Sequence, residues 1–203
     1  MNLLSFTAID LGSPRSPGAT TQSGSRVAIT AGGEDIWNRR DEFHFAQVRV
    51  PGDFALSARL ESLAMADVYT KAGLMLRAAL TDDAPHVLLL AFGDNQARNR
   101  NNGGLEFQSR EIAGGPCTGI YPPQPLPPRP DFPVNFPDVW LKLIRHGDVF
   151  TGQFCQDGKT WRTFCEHRQP FPATAFLGLA VTSHNVNRTV TAVFSDVALS
   201  ARA

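Results

Sequence analysis

A chain of 203 residues, 42% of them hydrophobic and 19% charged, is long enough to bury most of its apolar surface in one core and fits a single large all-β domain. Its 19 lysines and arginines balance 19 aspartates and glutamates, which argues against a nucleic-acid binder and against electrostatic attachment to a membrane, both of which carry a basic excess. No apolar run reaches the roughly 18 residues of a membrane span, and the opening MNLLSFTAIDLG lacks the charged start and apolar run of a signal peptide. The cysteines, Cys117, Cys155 and Cys165, are three in number. An odd count fits a reduced, cytoplasmic protein better than a disulfide-bonded secreted one.

In chain order, residues 3–11 predict a first strand, followed by a turn-rich stretch over 12–24 full of Ser, Pro, Gly and Thr. A short strand over 25–30 stops at Ala31-Gly32-Gly33 and leads into a polar loop, GGEDIWNRRDEFHF. Two alternating strands, 43–50 and 54–63, are joined by Pro51-Gly52-Asp53, which reads as a hairpin turn. Residues 68–80, VYTKAGLMLRAAL, form the central strand. Its alternation puts Ala72, Leu74, Leu76, Ala78 and Leu80 on a core face, and Lys71, Gly73, Met75, Arg77 and Ala79 on the other. Two cations on one strand face predict that this face is wet and open to a ligand.

Residues 86–92 are apolar on both faces, as in a strand central to its sheet. A polar loop, 93–104, precedes a strand over 105–112. The segment 113–138 holds most of the prolines and predicts an extended surface loop rather than a ladder strand, since proline has no N–H to donate. A loop of that length in a single 1–203 domain reads as an insertion that is either packed ornament or a contact surface. Residues 139–145 and 149–155 form a hairpin through His146-Gly147-Asp148, and Asp157-Gly158-Lys159 turns the chain into a strand over 161–166. Cys155 and Cys165 flank that turn without opposing one another, so both are expected as buried thiols. Strands over 176–184 and 189–200 close a domain without amphipathic helices, an antiparallel two-layer β-sandwich.

The succession GGEDIWNRRDEFHF, GDFALSARLESL, YTKAGLMLRAAL, VWLKLIRHGDVFTGQFCQDGKTW, FLGLAVTSHN and VFSDVAL resembles the DUF1349, or regulation-of-enolase-protein-1-like, family of concanavalin A-like domains. The resemblance runs from about residue 32 to residue 199 and implies a double-sheet jelly roll. It also implies glycan binding, because such domains commonly accompany carbohydrate-active ones. Asp35, Trp37, Lys71, Arg77, Ser183 and His184 are the residues that match the family pattern. The long proline-rich loop departs from it.

On this reading the ligand-binding residues are Asp35, Trp37, His44, Tyr69, Lys71, Arg77 and His184. An indole stacks on the C–H face of a sugar while charged groups fork onto hydroxyls. The same residues admit another role, in which Lys71 and Arg77 pair with Asp35, Asp41 or Glu42 and pin the loop to the sheet. No two carboxylates lie two positions apart, the strand spacing that would aim a nucleophile and an acid across a glycosidic bond. A lyase set built on Tyr69, His44, Arg77 and Lys71 stays open as well. Histidines and cysteines show no zinc spacing, and no cofactor is expected beyond a structural calcium, for which Asp196 is the candidate ligand and Asp10 lies near the other chain end. The expected partner is a carbohydrate, with no nucleic acid and no membrane. A protein-interaction or homo-oligomer surface on the proline-rich loop is the alternative.

Overall fold

In VWLKLIRH, Val139, Leu141 and Leu143 have no exposed surface and the residues between them are partly exposed, the pattern of a strand with one wet face. The computed structural model of the protein describes residues 4–98, 103–122 and 138–202, and strands are its only regular elements. They are β1 (Thr7–Leu11), β2 (Ala19–Ser23), β3 (Arg26–Ala31), the short pair β4 (Ile36–Trp37) and β5 (Arg40–Asp41), β6 (Phe43–Pro51), β7 (Asp53–Leu63) and β8 (Lys71–Arg77). The second half adds β9 (His86–Phe92), β10 (Leu105–Arg110), β11 (Thr118–Ile120), β12 (Val139–His146), β13 (Val149–Cys155), β14 (Arg162–Arg168), β15 (Thr174–Thr182) and β16 (Val190–Arg202).

Two antiparallel sheets of seven strands stack face to face. One runs β1-β6-β15-β8-β9-β10-β11 and the other β14-β13-β12-β7-β16-β3-β2. Their facing side chains, among them Leu74, Leu89 and Phe107 from the first sheet and Leu56, Leu141 and Phe194 from the second, make one continuous apolar core. Burying each such side chain contributes about 1.5–3 kcal/mol, and this layer holds the sandwich together. The expected all-β jelly roll is therefore what forms. Among the described residues no helix is long and apolar enough to cross a membrane.

Four local expectations change. Pro51-Gly52-Asp53 is a corner between sheets and not a hairpin: β6 pairs with β1 and β15, whereas β7 pairs with β12 and β16. The turn signal is the same in both cases, and only the partners distinguish them. The Ser/Thr-rich stretch over 12–24 contains β2, which forms the edge of the second sheet. Part of the proline-rich segment 113–138 is a ladder strand after all, since Thr118 to Ile120 pair with β10. Residues 123–137 of that segment lie outside the described residues.

The fourth change matters most for the site. Every residue of β8 and of β9 is buried, so the outer face of the first sheet is not an open floor. Met75, Leu88, Leu90, Phe43, Phe45 and Phe92 gather there with Ile36 in a second apolar cluster. Ile36 arrives on a flap, the β4–β5 hairpin, that folds over the sheet.

Candidate functional site

The flap is built from the loop that the sequence offered only as polar. Gly33 starts it at φ 116°, a conformation natural to glycine, and any Cβ there would strike the Glu42 carbonyl. Asn38, at φ 49°, takes the left-handed position of a tight hairpin turn, which Asn tolerates better than most residues. Trp37 precedes that turn and is carried out over the end of the first sheet.

Beneath it lies a pocket of about 390 Å³, lined by Asp35, Trp37, Tyr69, Lys71, Phe92, Glu106, Gln108, Tyr121 and His184. Its floor is the outward face of three adjacent strands, β8 through Lys71, β9 through Phe92 and β10 through Glu106 and Gln108. The Tyr69 ring stands edge-on to Phe92 with centroids 6.3 Å apart, and 5.3 Å from the ring of His184. Tyr121 closes the far wall. Its ring lies so close over Gly119 that a Cβ there would come within 2.7 Å of it. A second cavity of about 570 Å³ adjoins on the other side of the flap, where Glu34, Asn38, Arg39, Arg40 and Asp82 share Asp35, Trp37 and His184 with the first.

A chain of charges runs along the pocket wall. Lys71, 3% exposed, holds Asp35 Oδ1 at 2.7 Å, and His184 Nε2 lies 3.3 Å from Asp35 Oδ2 while its Nδ1 lies 3.1 Å from Asp67 Oδ1. Burial works against the charge on Asp35, but the ammonium of Lys71 and the imidazole of His184 outweigh it and hold the carboxyl down at about 2. His184 is raised, chiefly by its hydrogen bond to Asp35. It also sits at φ 52°, an uncommon conformation outside glycine of the kind that gathers at functional sites.

A second polar cluster lies under the flap. Arg77 Nη1 and Arg110 Nη1 each donate to Asp41 Oδ2 at 2.6 Å, and Arg110 Nη2 donates to Asp41 Oδ1 at 2.6 Å. The remaining donors go to main-chain carbonyls: Arg77 Nε to Thr81, and Arg110 Nη2 to Trp37 at 3.2 Å and Asn38 at 3.3 Å. All three side chains are fully buried. Burial opposes the charge on Asp41, yet the two guanidiniums keep its carboxyl below the usual range. His86, wholly buried beside them, is pushed down to about 3 and stays neutral. Asp41, His86 and Cys117 form the only group among the described residues with three metal-ligand atoms within reach of one another. The group does not fit a cation, because two guanidiniums already occupy its carboxylate and would face the ion. Cys117, pushed up to about 12 by burial, remains a thiol.

Of the residues singled out from sequence, Asp35, Trp37, Tyr69, Lys71 and His184 line one pocket. Arg77 does not reach it. It follows Lys71 on the same strand face but ends inside the Asp41 cluster, in the pinning role. His44 also lies elsewhere, on the inner face at the sandwich edge, where its Nδ1 meets Asp10 Oδ1 at 2.7 Å and its Nε2 meets Thr20 Oγ1 at 2.9 Å. Asp10 accepts from Gly18 N as well, so this trio clasps β1 and β6 to β2, and neither cavity touches it. The lyase set of Tyr69, His44, Arg77 and Lys71 is thus not brought together. Asp196 stands exposed at φ 53° where the pairing of β16 slips between Ser195 and Ala198, and it belongs to no described group of three potential metal ligands. Cys155 and Cys165 are buried free thiols, and Asp157 accepts from Lys159 N and Thr160 N to make the expected turn.

Phe92, Glu106, Gln108 and Tyr121 were not foreseen. The signal for two of them was present: in LEFQSR the polar residues Glu106, Gln108 and Arg110 alternate with Leu105, Phe107 and Ser109. All six are buried, so the polar set faces a covered site and not solvent.

No family model matches the chain, and no curated protein matches it in sequence. Solved structures do. A functionally unknown protein from Saccharomyces cerevisiae superposes with a TM-score of 0.71 at 19% identity, covering 98% of this chain and 97% of its own. The fold is that of the concanavalin A-like lectins and glucanases. The carbohydrate binding module CBM66 from Bacillus subtilis gives 0.60 at 16% identity with 98% of each chain covered, and lectin I-B4 from Griffonia simplicifolia gives 0.55 at 8% with 97% and 94% covered. At these identities the likeness speaks for the fold.

Proposed function

We propose that the protein is a non-catalytic carbohydrate-recognition domain of the DUF1349 type, with its ligand in the pocket under Trp37. The observation that carries this reading is the make-up of the pocket: aromatic rings from Trp37, Tyr69, Tyr121 and Phe92 around polar groups from Asp35, Lys71, Glu106, Gln108 and His184. Rings that receive a C–H face, set among a few fixed hydrogen-bonding groups, are what a sugar requires, and the volume lies within the usual range of about 300–1,000 Å³ for small-molecule sites. Support at the level of fold comes from a neighbour that is a carbohydrate binding module and another that is a lectin.

Recognition also fits the state of the charged groups better than catalysis does. Lys71 is paired and almost fully buried, and His184 is fixed between two carboxylates, so neither is poised to move a proton to or from a ligand. A glycan array on the purified protein tests the reading. Defined binding that Trp37→Ala removes, with the thermal midpoint unchanged because Trp37 is only partly buried, is the expected result. A blank array, or a collapse of stability in the variant, defeats it.

A further inference from the structure

The pocket under the flap and the cavity beside it share a wall. Asp35, Trp37 and His184 line both, so a ligand lying against them in one is adjacent to the other. The shared wall is held in place from several sides. Asp35 Oδ1 accepts from Ile36 N at 2.7 Å and meets Lys71 Nζ at 2.7 Å, and His184 is fixed by Asp35 and Asp67. Both spaces are therefore present before any ligand arrives, which lowers the ordering cost of binding.

The two spaces differ in chemistry. The pocket is ringed by aromatic side chains, whereas in the cavity, among the described residues, Trp37 supplies the only apolar ring. At about 570 Å³ the cavity is by itself within the range of about 300–1,000 Å³ usual for small-molecule sites. Glu34, Asn38, Arg39 and Arg40 reach it from the flap and are exposed. Its far wall, the turn that carries Asp82, is tied to the flap twice: Asp41 N donates to Asp82 O at 2.8 Å, and Arg40 Nη2 meets Asp82 Oδ2 at 2.8 Å. Carboxylates and guanidiniums have several hydrogen-bonding positions each, so these groups can take sugar hydroxyls while keeping the partners they have. A stacked ring in the pocket and a hydroxyl-held ring in the cavity would both touch Trp37.

We infer that the cavity lined by Glu34, Arg40 and Asp82 is a second subsite, so that the protein takes an oligosaccharide laid across Trp37 and not a single sugar ring. The inference rests on the carbohydrate reading above. Titration calorimetry on the full chain tests it, with glucose, mannose, xylose and fructose each offered as a ladder from the monosaccharide to the tetrasaccharide. In the ladder that binds, the trisaccharide binds at least tenfold tighter than the monosaccharide, because the second ring is delivered at high effective concentration by the first. Amide shifts of Glu34, Arg40 and Asp82 move with the trisaccharide and stay in place with the monosaccharide. Glu34→Ala combined with Arg40→Ala removes most of that gain, and since the Arg40 side chain is 76% exposed the pair it breaks contributes little to the fold. Equal affinity for the monosaccharide and the longer members overturns the inference while leaving carbohydrate recognition intact. So does a gain with length that the double variant keeps and that moves none of those amides. Failure of every ladder to bind defeats the carbohydrate reading and the inference together.

Discussion

At residue scale, Lys71 and Asp35 form a pair in which the ammonium side is 3% exposed and the carboxylate side 22%. Removing one member leaves the other charge buried alone, at a cost of about 3–5 kcal/mol, whereas replacing both with apolar groups of similar size is often neutral. Asp35→Ala should therefore destabilise toward the lower end of that range, given the partial exposure of Asp35, and Asp35→Leu with Lys71→Met should recover most of the loss. Urea unfolding of the singles and the double measures the coupling. Protonation provides a second test. His86 is pushed down to about 3 from 6.5, so between those values the unfolded chain takes up a proton that the folded one refuses, and stability falls as pH drops from 6.5 toward 3. His184 acts in the opposite sense: its pKa is raised, so its contribution is full below 6.5 and lost as pH rises through the raised value. Asp35 contributes fully above 3.8 and loses that contribution as pH falls through about 2. His86→Phe should flatten the acid limb between 6.5 and 3 in unfolding measured across pH, whatever its stability at neutrality.

At the scale of elements, the flap decides whether there is a site. An isolated two-stranded hairpin is marginal in water, and β4–β5 pairs at only two positions, Ile36 with Asp41 and Trp37 with Arg40. What holds it down comes from outside. Arg110 reaches the Trp37 and Asn38 carbonyls, Cys117 N donates to Asn38 O at 2.9 Å and Asp41 N to Asp82 O at 2.8 Å. Ile36 is buried in the outer apolar cluster. Arg110 lines neither cavity, so it is a positioning residue for Trp37. Arg110→Met should speed amide exchange over residues 36–41 and weaken glycan binding. It should also cost about 3–5 kcal/mol, because Asp41 loses two of its three charge-assisted hydrogen bonds. Trp37→Ala should weaken binding without the exchange change. The two variants are told apart by exchange and not by affinity.

At the scale of the molecule, one core drawn from both sheets couples the strands. Phe107 lies in it at 1% exposure, on the strand whose other face carries Glu106 and Gln108. Phe107→Ala should cost about 3–5 kcal/mol. At about 2–4 °C per kcal/mol for a domain of this size, the midpoint should fall by about 10 °C, with near- and far-ultraviolet circular dichroism melting together.

Strand positions were legible in the sequence because alternation is a local property. Residues 86–92 emerge as read, and the core face of residues 68–80 contains Ala72, Leu74 and Leu76 as expected. Part of the site was legible for the same reason, since Lys71 must share a strand face with Arg77, and an indole in a polar loop has little to bury it locally. Which residues meet across the chain was not legible. Lys71 and Arg77 are six residues apart on one face, yet one lines a pocket and the other is enclosed by Asp41 and Arg110, because Lys71 meets Asp35 at the start of the flap and Arg77 meets Asp41 at its end. Pro51-Gly52-Asp53 turns the chain either within a sheet or between sheets, and pairing partners far away in sequence decide which. Glu106, Gln108 and Tyr121 enter the site only because β10 lies beside β9 and β11 beside β10. Periodicity thus determined the strands and the faces of the sandwich. Tertiary structure alone decided which face was covered and where a ligand could enter, because burial depends on neighbours that no local pattern names.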